Sequence, residues 1–324
     1  NEEVAAILNR AFVCIKVDRE ERPDVDRIYM TFVQATTGSG GWPMSVWLTP
    51  DLKPFYGGTY YPPDNRYGRP GFASLLQQIA AKWITDRDKI IQSGENVVEE
   101  LKRVTAVTPS GTSADAGPIS ESLFHQFRRA FDSRLGGFGN APKFPRPVAL
   151  NFLLRDSVWS QRAEAKEMAL KTLTEMAKGG MYDHLGGGFH RYSVDARWFV
   201  PHFEKMLYDQ AQLAISYLEA FQLTGETEYE RVARDIFDYV LRDLLHPDGG
   251  FYSAEDADSV IDPEHPHEKG EGAFYVWAWD ELVEVLGEEE AKWFAGIFGA
   301  DPDAIKAADS CNFHRPRTLQ IQLH

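Results

Sequence analysis

One tripeptide recurs in this chain at positions that fix what can lie between its copies. Gly136-Gly137-Phe138, Gly187-Gly188-Phe189 and Gly249-Gly250-Phe251 each follow a helical stretch, at spacings of 51 and 62 residues. A period of that size leaves room for about two helices per unit, which is the pattern of stacked helical hairpins. Hydrophobic spacing predicts helices over residues 119–131, 147–160, 162–179, 201–223, 228–245 and 280–298. About three hairpins fit between 119 and 298. A stack of that size leaves apolar helical edges uncovered, so self-association through those edges is expected.

The most informative stretch follows the second copy, GGFHRYSVDARWFVPHFEKMLYDQAQ over residues 187–212. Pro201 suits a first helical position, because its fixed φ is already helical and its missing N–H has no helical partner there. From it, Phe203, Met206, Leu207, Ala211, Ala214, Tyr217, Leu218 and Phe221 recur at helical spacing. The opposite arc carries His202, Glu204, Lys205, Tyr208 and Asp209 first, then Leu213, Ile215 and Ala220. That pattern predicts a buried helix with one wet end facing a pocket. The alternative is a solvated face with an i,i+4 ion pair between Lys205 and Asp209.

Length and charge narrow the class. A chain of 324 residues exceeds what one hydrophobic core usually spans, so two domains are expected. Apolar content of 43% with 13% aromatic residues is that of a globular protein. A net charge of −15 disfavours nucleic acid and anionic membrane surfaces as partners, and no apolar run approaches the ~18 residues of a membrane span. Two cysteines at opposite ends, Cys14 and Cys311, make no disulfide framework, so a reducing, cytoplasmic setting is expected. The opening Asn1-Glu2-Glu3-Val4 carries no leader and reads as the middle of a longer chain.

In the first hundred residues, FVCIKV over residues 12–17 is nearly all apolar and predicts a strand buried on both faces, with Cys14 an inert core thiol. A helix is predicted from Pro23, ended by the glycines of 38–41. A strand over 44–49, a turn at Pro50-Asp51-Leu52-Lys53 and a returning strand from Pro54 follow, then helices over 72–85 and 88–103. The order of KVD at 16–18, a helix, and Gly41-Trp42-Pro43 before a strand–turn–strand resembles the second half of a thioredoxin fold. That resemblance makes Pro43 a cis-proline candidate.

The wider set of motifs, VDREERPDVDRIYM, GGWPMSVWLTPDLKPF, GGTYYPP, GGFHRYSVD, PHFEKMLYDQA and FYSAEDADS, resembles the family of spermatogenesis-associated protein 20 and its bacterial relatives. The likeness runs from about residue 1 to about residue 290. It implies a thioredoxin-like domain over 1–104, a linker over 105–118 and an all-α (α/α)-hairpin toroid over 119–298, here partial. Residues 299–324 form an irregular tail that departs from the pattern. The family also implies a CxxCH motif just upstream. No such motif is present, so the dithiol and the first strand of the sheet are expected to be missing. The toroid architecture is one shared with sugar epimerases and glycoside-processing enzymes.

The chemistry candidates gather at the glycine turns. His190, His202, Glu204, Asp209, Glu255, Asp256 and Asp258 are the catalytic candidates, since carboxylates serve as general acids and bases on glycosidic bonds and histidines suit proton abstraction beside a sugar carbonyl. Arg191, Trp198, Tyr208, Tyr252 and Glu271 are the substrate-binding candidates. Each has a structural counterpart: core aromatics, turn histidines, and for 255–258 a solvated loop, helix caps or a weak Ca²⁺ site. No HxxxH or HExxH spacing occurs, and no metal or cofactor is expected. Two functions of different class are consistent with the sequence. One is an epimerase, isomerase or hydrolase acting on a sugar-like small molecule. The other is a thioredoxin-like redox or client-binding module with a helical scaffold, redox-inactive without its dithiol.

Overall fold

The computed structural model describes residues 1–65, 70–106, 115–297 and 318–319. The chain divides into two compact units, 1–113 and 114–324. The expected linker lies largely outside the described residues, and the expected tail, with Cys311, almost wholly so.

The first unit orders as α1 (Glu2–Ala11), α2 (Pro23–Thr37), β1 (Ser45–Leu48), β2 (Pro54–Gly58), α3 (Phe72–Thr85) and α4 (Arg87–Thr105). Pro23 opens α2, and Gly38 closes it in the left-handed region at φ 78°, its N–H returning to the Gln34 carbonyl. β1 and β2 pair antiparallel, with Val46 opposite Gly57 and Trp47 opposite Tyr56. Ile7, Trp47, Leu75, Leu76 and Ile79 form the core between α1, the hairpin and α3. Residues 12–17 are not the buried strand expected. They form no strand, Val13 and Ile15 are 92% and 72% exposed, and Cys14 is an exposed free thiol. A strand exists only through a ladder, and among the described residues nothing pairs with this segment.

The second unit begins with α5 (Ala116–Ala130), α6 (Pro147–Trp159) and α7 (Ala163–Lys178), followed by β3 (Tyr192–Ser193), β4 (Pro201–His202) and β5 (Lys205–Met206). Next come α8 (Leu207–Thr224), α9 (Thr227–Tyr239), β6 (Ala254–Glu255), β7 (Asp258–Val260), β8 (Lys269–Glu271), β9 (Trp277–Ala278), α10 (Trp279–Leu286) and α11 (Glu288–Ile297). α6 packs on α7 and α8 on α9, with α6 also against α8. The core of the unit lies between these helices, around Leu150, Leu153, Met168, Leu173, Tyr217 and Ile236. This is the (α/α)-hairpin architecture read from the sequence. Two predicted helices are not continuous α-helices. The one over 228–245 gives way to a π-helical turn at Val240–Leu244, and the one over 280–298 is broken at Gly287, whose φ is 84°.

A larger correction concerns residues 201–206. The helix expected from Pro201 starts only at Leu207. Before it, β4 pairs with β3 and β5 pairs with β6, both antiparallel. The ladder partners demand an extended backbone, and burial accordingly alternates: Pro201, Phe203 and Lys205 are buried, while His202, Glu204 and Met206 are half-buried. The helix itself is also less enclosed than expected, with Ile215 and Leu218 exposed.

The three Gly-Gly-Phe turns are one device used three times. Each phenylalanine bridges back to the residue just after or near the end of a helix: Phe138 to Phe131, Phe189 to Tyr182, Phe251 to Leu245. All six glycines have positive φ, between 67° and 87°. In the first two turns an aspartate caps the loop. Asp132 accepts from the N–H groups of Arg134 and Leu135, and Asp183 from those of Leu185 and Gly186. A buried lysine then ties each aspartate down: Lys143 to Asp132 and Lys205 to Asp183, both at 2.8 Å.

The turns differ in how tightly they are packed. A Cβ on Gly188 would meet Tyr239 Cδ1 at 2.6 Å, whereas one on Gly249 would meet nothing within 4 Å. Both positions carry the left-handed strain of about 1–2 kcal/mol for a non-glycine residue. Gly249→Ala is therefore expected to cost about that much, and Gly188→Ala roughly 1–3 kcal/mol more from overpacking. Urea melts of the two variants check this. Equal midpoints would show that Tyr239 yields freely.

Candidate functional site

The strand segment 201–206 is what builds the site. A period of two puts His202 and Glu204 on one face and Phe203 and Lys205 on the other. On the outward face, His202 Nδ1 lies 2.7 Å from Glu271 Oε1, supplied by β8, and its ring stacks on Tyr192 of β3 at 5.0 Å. A carboxylate accepts, so the proton sits on Nδ1 and the basic lone pair of a neutral ring is on Nε2. Nε2 stands 3.7 Å from Glu204 Oε2, beyond hydrogen-bond reach. Glu204 is instead engaged by Arg191, at 2.5 Å between Nη1 and Oε2, and the two residues also share a backbone hydrogen bond. Burial works against the Arg191 charge, but hydrogen bonds to Glu204 and Tyr208 outweigh it and hold the guanidinium above its ordinary pKa.

Asp209 completes the cluster from the first turn of α8. It is 8% exposed, and among the described residues nothing donates a hydrogen bond to its carboxyl. Burial pushes that carboxyl up to about 7; the Arg191 charge pulls against the shift and the Glu204 charge adds to it.

The inward face does structural work. Lys205 Nζ donates to Asp183 and to the Gly187 carbonyl at 3.0 Å, and lies over the rings of Tyr239 and Tyr275 at 4.3 and 5.0 Å. Burial alone would raise the Asp183 carboxyl, but Lys205 and two backbone N–H donors hold it below the usual range. His190 is buried on this side, between Phe203 and Tyr275, its Nδ1 donating to the Phe203 carbonyl at 3.1 Å. Desolvation, with the Lys205 charge behind it, keeps that imidazole neutral.

Of the remaining candidates, Asp258 pairs in register with Glu271 across β7 and β8, which brings it to the edge of the His202 cluster. Glu255 accepts from the Tyr239 hydroxyl at 2.7 Å and stands opposite Lys205 in the ladder. Asp256 is exposed and accepts from the Asp258 N–H, a local turn contact. Tyr252 is half exposed against the edge of His246, at the third glycine turn. Trp198 is corrected. It is fully buried, its Nε1 donates to the Leu135 carbonyl at 2.8 Å, and Lys143 lies over its ring. No face is left for a ligand. Among the described residues, no group of three or more His, Cys, Asp or Glu is placed to hold a metal ion.

Sequence reasoning missed Asp183, Gln210 and Tyr192, and the ion pair it weighed for Lys205 was with Asp209, whereas the structure pairs Lys205 with Asp183. Gln210 clamps the second turn, accepting from the Phe189 N–H at 2.9 Å and donating to its carbonyl at 2.6 Å. A signal existed: Asp132 and Asp183 each stand six residues before the phenylalanine of their turn.

Comparison with known proteins bears on these units separately. Residues 1–102 match the family model Thioredox_DsbH, described as a protein of unknown function, DUF255. Over 294 residues the chain is 49% identical to spermatogenesis-associated protein 20 of Mus musculus, an alignment covering 89% of this chain and 37% of that protein. This chain is a relative of spermatogenesis-associated protein 20. The human protein matches over the same length, also at 49%, and an uncharacterized protein of Caenorhabditis elegans is 46% identical over 322 residues, 97% of this chain and 43% of its own. The chain thus spans well under half of the curated relatives it matches. The first unit is thioredoxin-like, and its Trp42–Pro43 peptide is cis. Among solved structures, a cellobiose 2-epimerase from Spirochaeta thermophila covers 62% of this chain and 54% of its own at 16% identity and a TM-score of 0.38. A glycoside hydrolase family 76 mannosidase from Bacteroides thetaiotaomicron covers 82% and 68% at 14% identity, also with a TM-score of 0.38. Overlaps that shallow carry no argument about chemistry. Among the described residues, no helix is long and apolar enough to cross a membrane.

The displaced titration of Asp209 has a thermodynamic signature. Its folded-state pKa of about 7 lies above the ordinary 3.8, so the native state binds the proton more tightly than the unfolded chain does. Its effect on stability is therefore least unfavourable below pH 4, worsens as pH rises through 4 to 7, and is constant above that, on the order of 4 kcal/mol in full. Asp209→Asn removes the term. The melting temperature of the variant is expected to gain on the wild type progressively from pH 4 to 7 and then hold level. A gap independent of pH would place the Asp209 titration in its ordinary range.

Proposed function

We propose that the helical-hairpin unit is an enzyme of epimerase or isomerase type, moving a proton at the carbon beside the carbonyl of a small sugar-like molecule. The feature that carries the reading is Asp209, a buried carboxyl to which nothing among the described residues donates a hydrogen bond, and which burial pushes up to about 7 within the field of Arg191 and Glu204. General acids and bases work best when their pKa is close to the working pH. A second proton-handling group stands in the same cluster. Glu271 holds His202 by Nδ1 and leaves Nε2 as the base. In this scheme His202 Nε2 removes the proton from the carbon next to the carbonyl, the resulting enediolate is stabilised by the Arg191 charge, and protonated Asp209 returns a proton. Delivery to the opposite face gives the epimer, and delivery to the neighbouring carbon gives the isomer. Tyr192 and Glu271 orient the imidazole, and Glu204 orients Arg191. The substrate class follows the architecture implied by the sequence resemblance, and the chemistry follows the cluster.

Solvent exchange tests it directly. The protein in D₂O near neutral pD, given a panel of aldoses, ketoses and disaccharides, is expected to replace the proton next to the carbonyl of at least one of them, read by proton NMR. His202→Ala and Asp209→Asn should each slow that exchange by about 10²–10⁴-fold, and Glu271→Gln by a smaller factor through misorientation of His202. No exchange with any sugar would end the reading. Release of reducing ends from glycosides without exchange would replace it with hydrolysis.

A further inference from the structure

The ladder that carries His202 continues into the loop after the first glycine turn. Lys143 and Ser193 exchange both backbone hydrogen bonds, at 2.8 and 2.9 Å, in an antiparallel bridge. Ser193 in turn pairs with Pro201, and Tyr192 with His202. Three short segments thus lie side by side, and the register that sets Lys143 opposite Ser193 sets Phe144 opposite Tyr192. Side chains alternate along each of them. Lys143, Ser193 and Pro201 are buried on the inner face. Phe144, Tyr192 and His202 therefore share the outer face, in one row across the ladder.

Their rings form a column. Phe144 lies 4.7 Å from Tyr192 with 32° between the ring planes, and Tyr192 lies 5.0 Å from His202 with 21° between them. Those separations match the about 4.8 Å between neighbouring strands, so the ladder itself sets the stacking. At the far end, Glu271 Oε1 takes the Nδ1 proton of His202 at 2.7 Å. The imidazole is thus held at its edge by a carboxylate and on one face by a phenol ring. Phe144 backs that phenol. It is 42% exposed and lies outside the core of the unit, so burial explains little of its presence. Its backbone is nonetheless well anchored. The Lys143 ammonium next to it is tied to Asp132 at 2.8 Å and to the Ala196 carbonyl at 3.0 Å.

We propose that Phe144 is a positioning residue for His202, acting through Tyr192. The column rests on geometry alone, and its catalytic meaning rests on the proton-transfer reading above. A base works only while its lone pair is aimed at the proton it removes, and small misplacements are costly. Rotation of the imidazole about its Cβ–Cγ bond would sweep Nε2 off that line. A flat ring against the imidazole face opposes the rotation, and Phe144 keeps Tyr192 from following it. The loop of the first glycine turn thereby supports a site that the second turn builds.

Three variants test it: Phe144→Ala, Phe144→Leu, which keeps apolar bulk without a flat face, and Phe144→Tyr, which keeps the face. The first readout needs no substrate. The carbon-bound ring protons of His202, assigned by their loss in His202→Ala, are expected upfield in the wild type because of the Tyr192 ring current. They should move downfield in the Ala and Leu variants and stay in place in Phe144→Tyr. The second readout is solvent exchange into whichever sugar of the panel the wild type exchanges fastest. There kcat should fall about 10–100-fold in the Ala and Leu variants with KM nearly unchanged, and recover in Phe144→Tyr. Ring protons unmoved in the Ala and Leu variants overturn the inference whether or not any sugar exchanges. So does a rise in KM at constant kcat, which would make Phe144 a substrate contact, or full activity in Phe144→Leu, which would reduce its role to bulk. Ring protons that move in a protein exchanging no sugar uphold the column and end only the proton-transfer reading.

Discussion

The buried ion pair between Lys205 and Asp183 is the contact on which the second unit's site depends. An ammonium group without water costs several kcal/mol unless its protons find partners. Here they find a carboxylate at 2.8 Å, the Gly187 carbonyl at 3.0 Å and two tyrosine rings. Asp183 in turn holds the loop that ends in Gly187-Gly188-Phe189. The pair therefore couples a glycine turn to a strand. By fixing Lys205 inward it also fixes Glu204 and His202 outward, because neighbours along a strand alternate faces.

The same construction occurs one turn earlier, where Lys143 reaches Asp132 and the Ala196 carbonyl, with Trp198 beside it. There the flanking residues make no comparable cluster, and Trp198 is wholly spent on packing. The third turn, at Gly249-Gly250-Phe251, has His246 in the place of the aspartate and leaves Phe251 and Tyr252 half exposed. One scaffold element thus recurs three times, and the middle copy is the one flanked by the cluster of titratable side chains. The site draws on residues far apart in sequence: Tyr192 and Arg191 after the turn, His202 and Glu204 on the strand, Asp209 on the helix and Glu271 on a later hairpin. Two faces of one short strand then serve different purposes. The outer face gathers titratable side chains, and the inner face closes against aromatic walls.

The helical hairpins were legible because each helix carries its own evidence. Pro147 marks a start, Gly225 in the left-handed region marks a stop, and apolar spacing marks the buried face. The glycine turns were equally plain, since positive φ at adjacent positions leaves little choice but glycine. The likeness to spermatogenesis-associated protein 20 was carried by long motifs that survive in the linear chain. Tyr192 apart, the residues gathered at the site were named from the sequence too, but for a reason the structure revises. His202 and Glu204 share a face through a strand's period of two, where a helical arc had been read into PHFEKM.

What tertiary structure decided is whatever depends on a distant partner. PHFEKM is extended because Tyr192–Ser193 and Ala254–Glu255 complete its backbone hydrogen bonds, and Ala254 lies almost fifty residues downstream of Met206. Residues 12–17 carry a strand's composition, yet without a ladder among the described residues they stay exposed. Asp209 reads as an ordinary helical carboxylate until burial removes its water and Arg191 and Glu204 set its field. The amino-acid sequence by itself determined the helices, the glycine turns and the likeness to known proteins, because these rest on local propensity and on motifs that can be read along one chain. Strand pairing, burial and titration were settled only in three dimensions, because each is a property of which far-off groups come within a few ångströms.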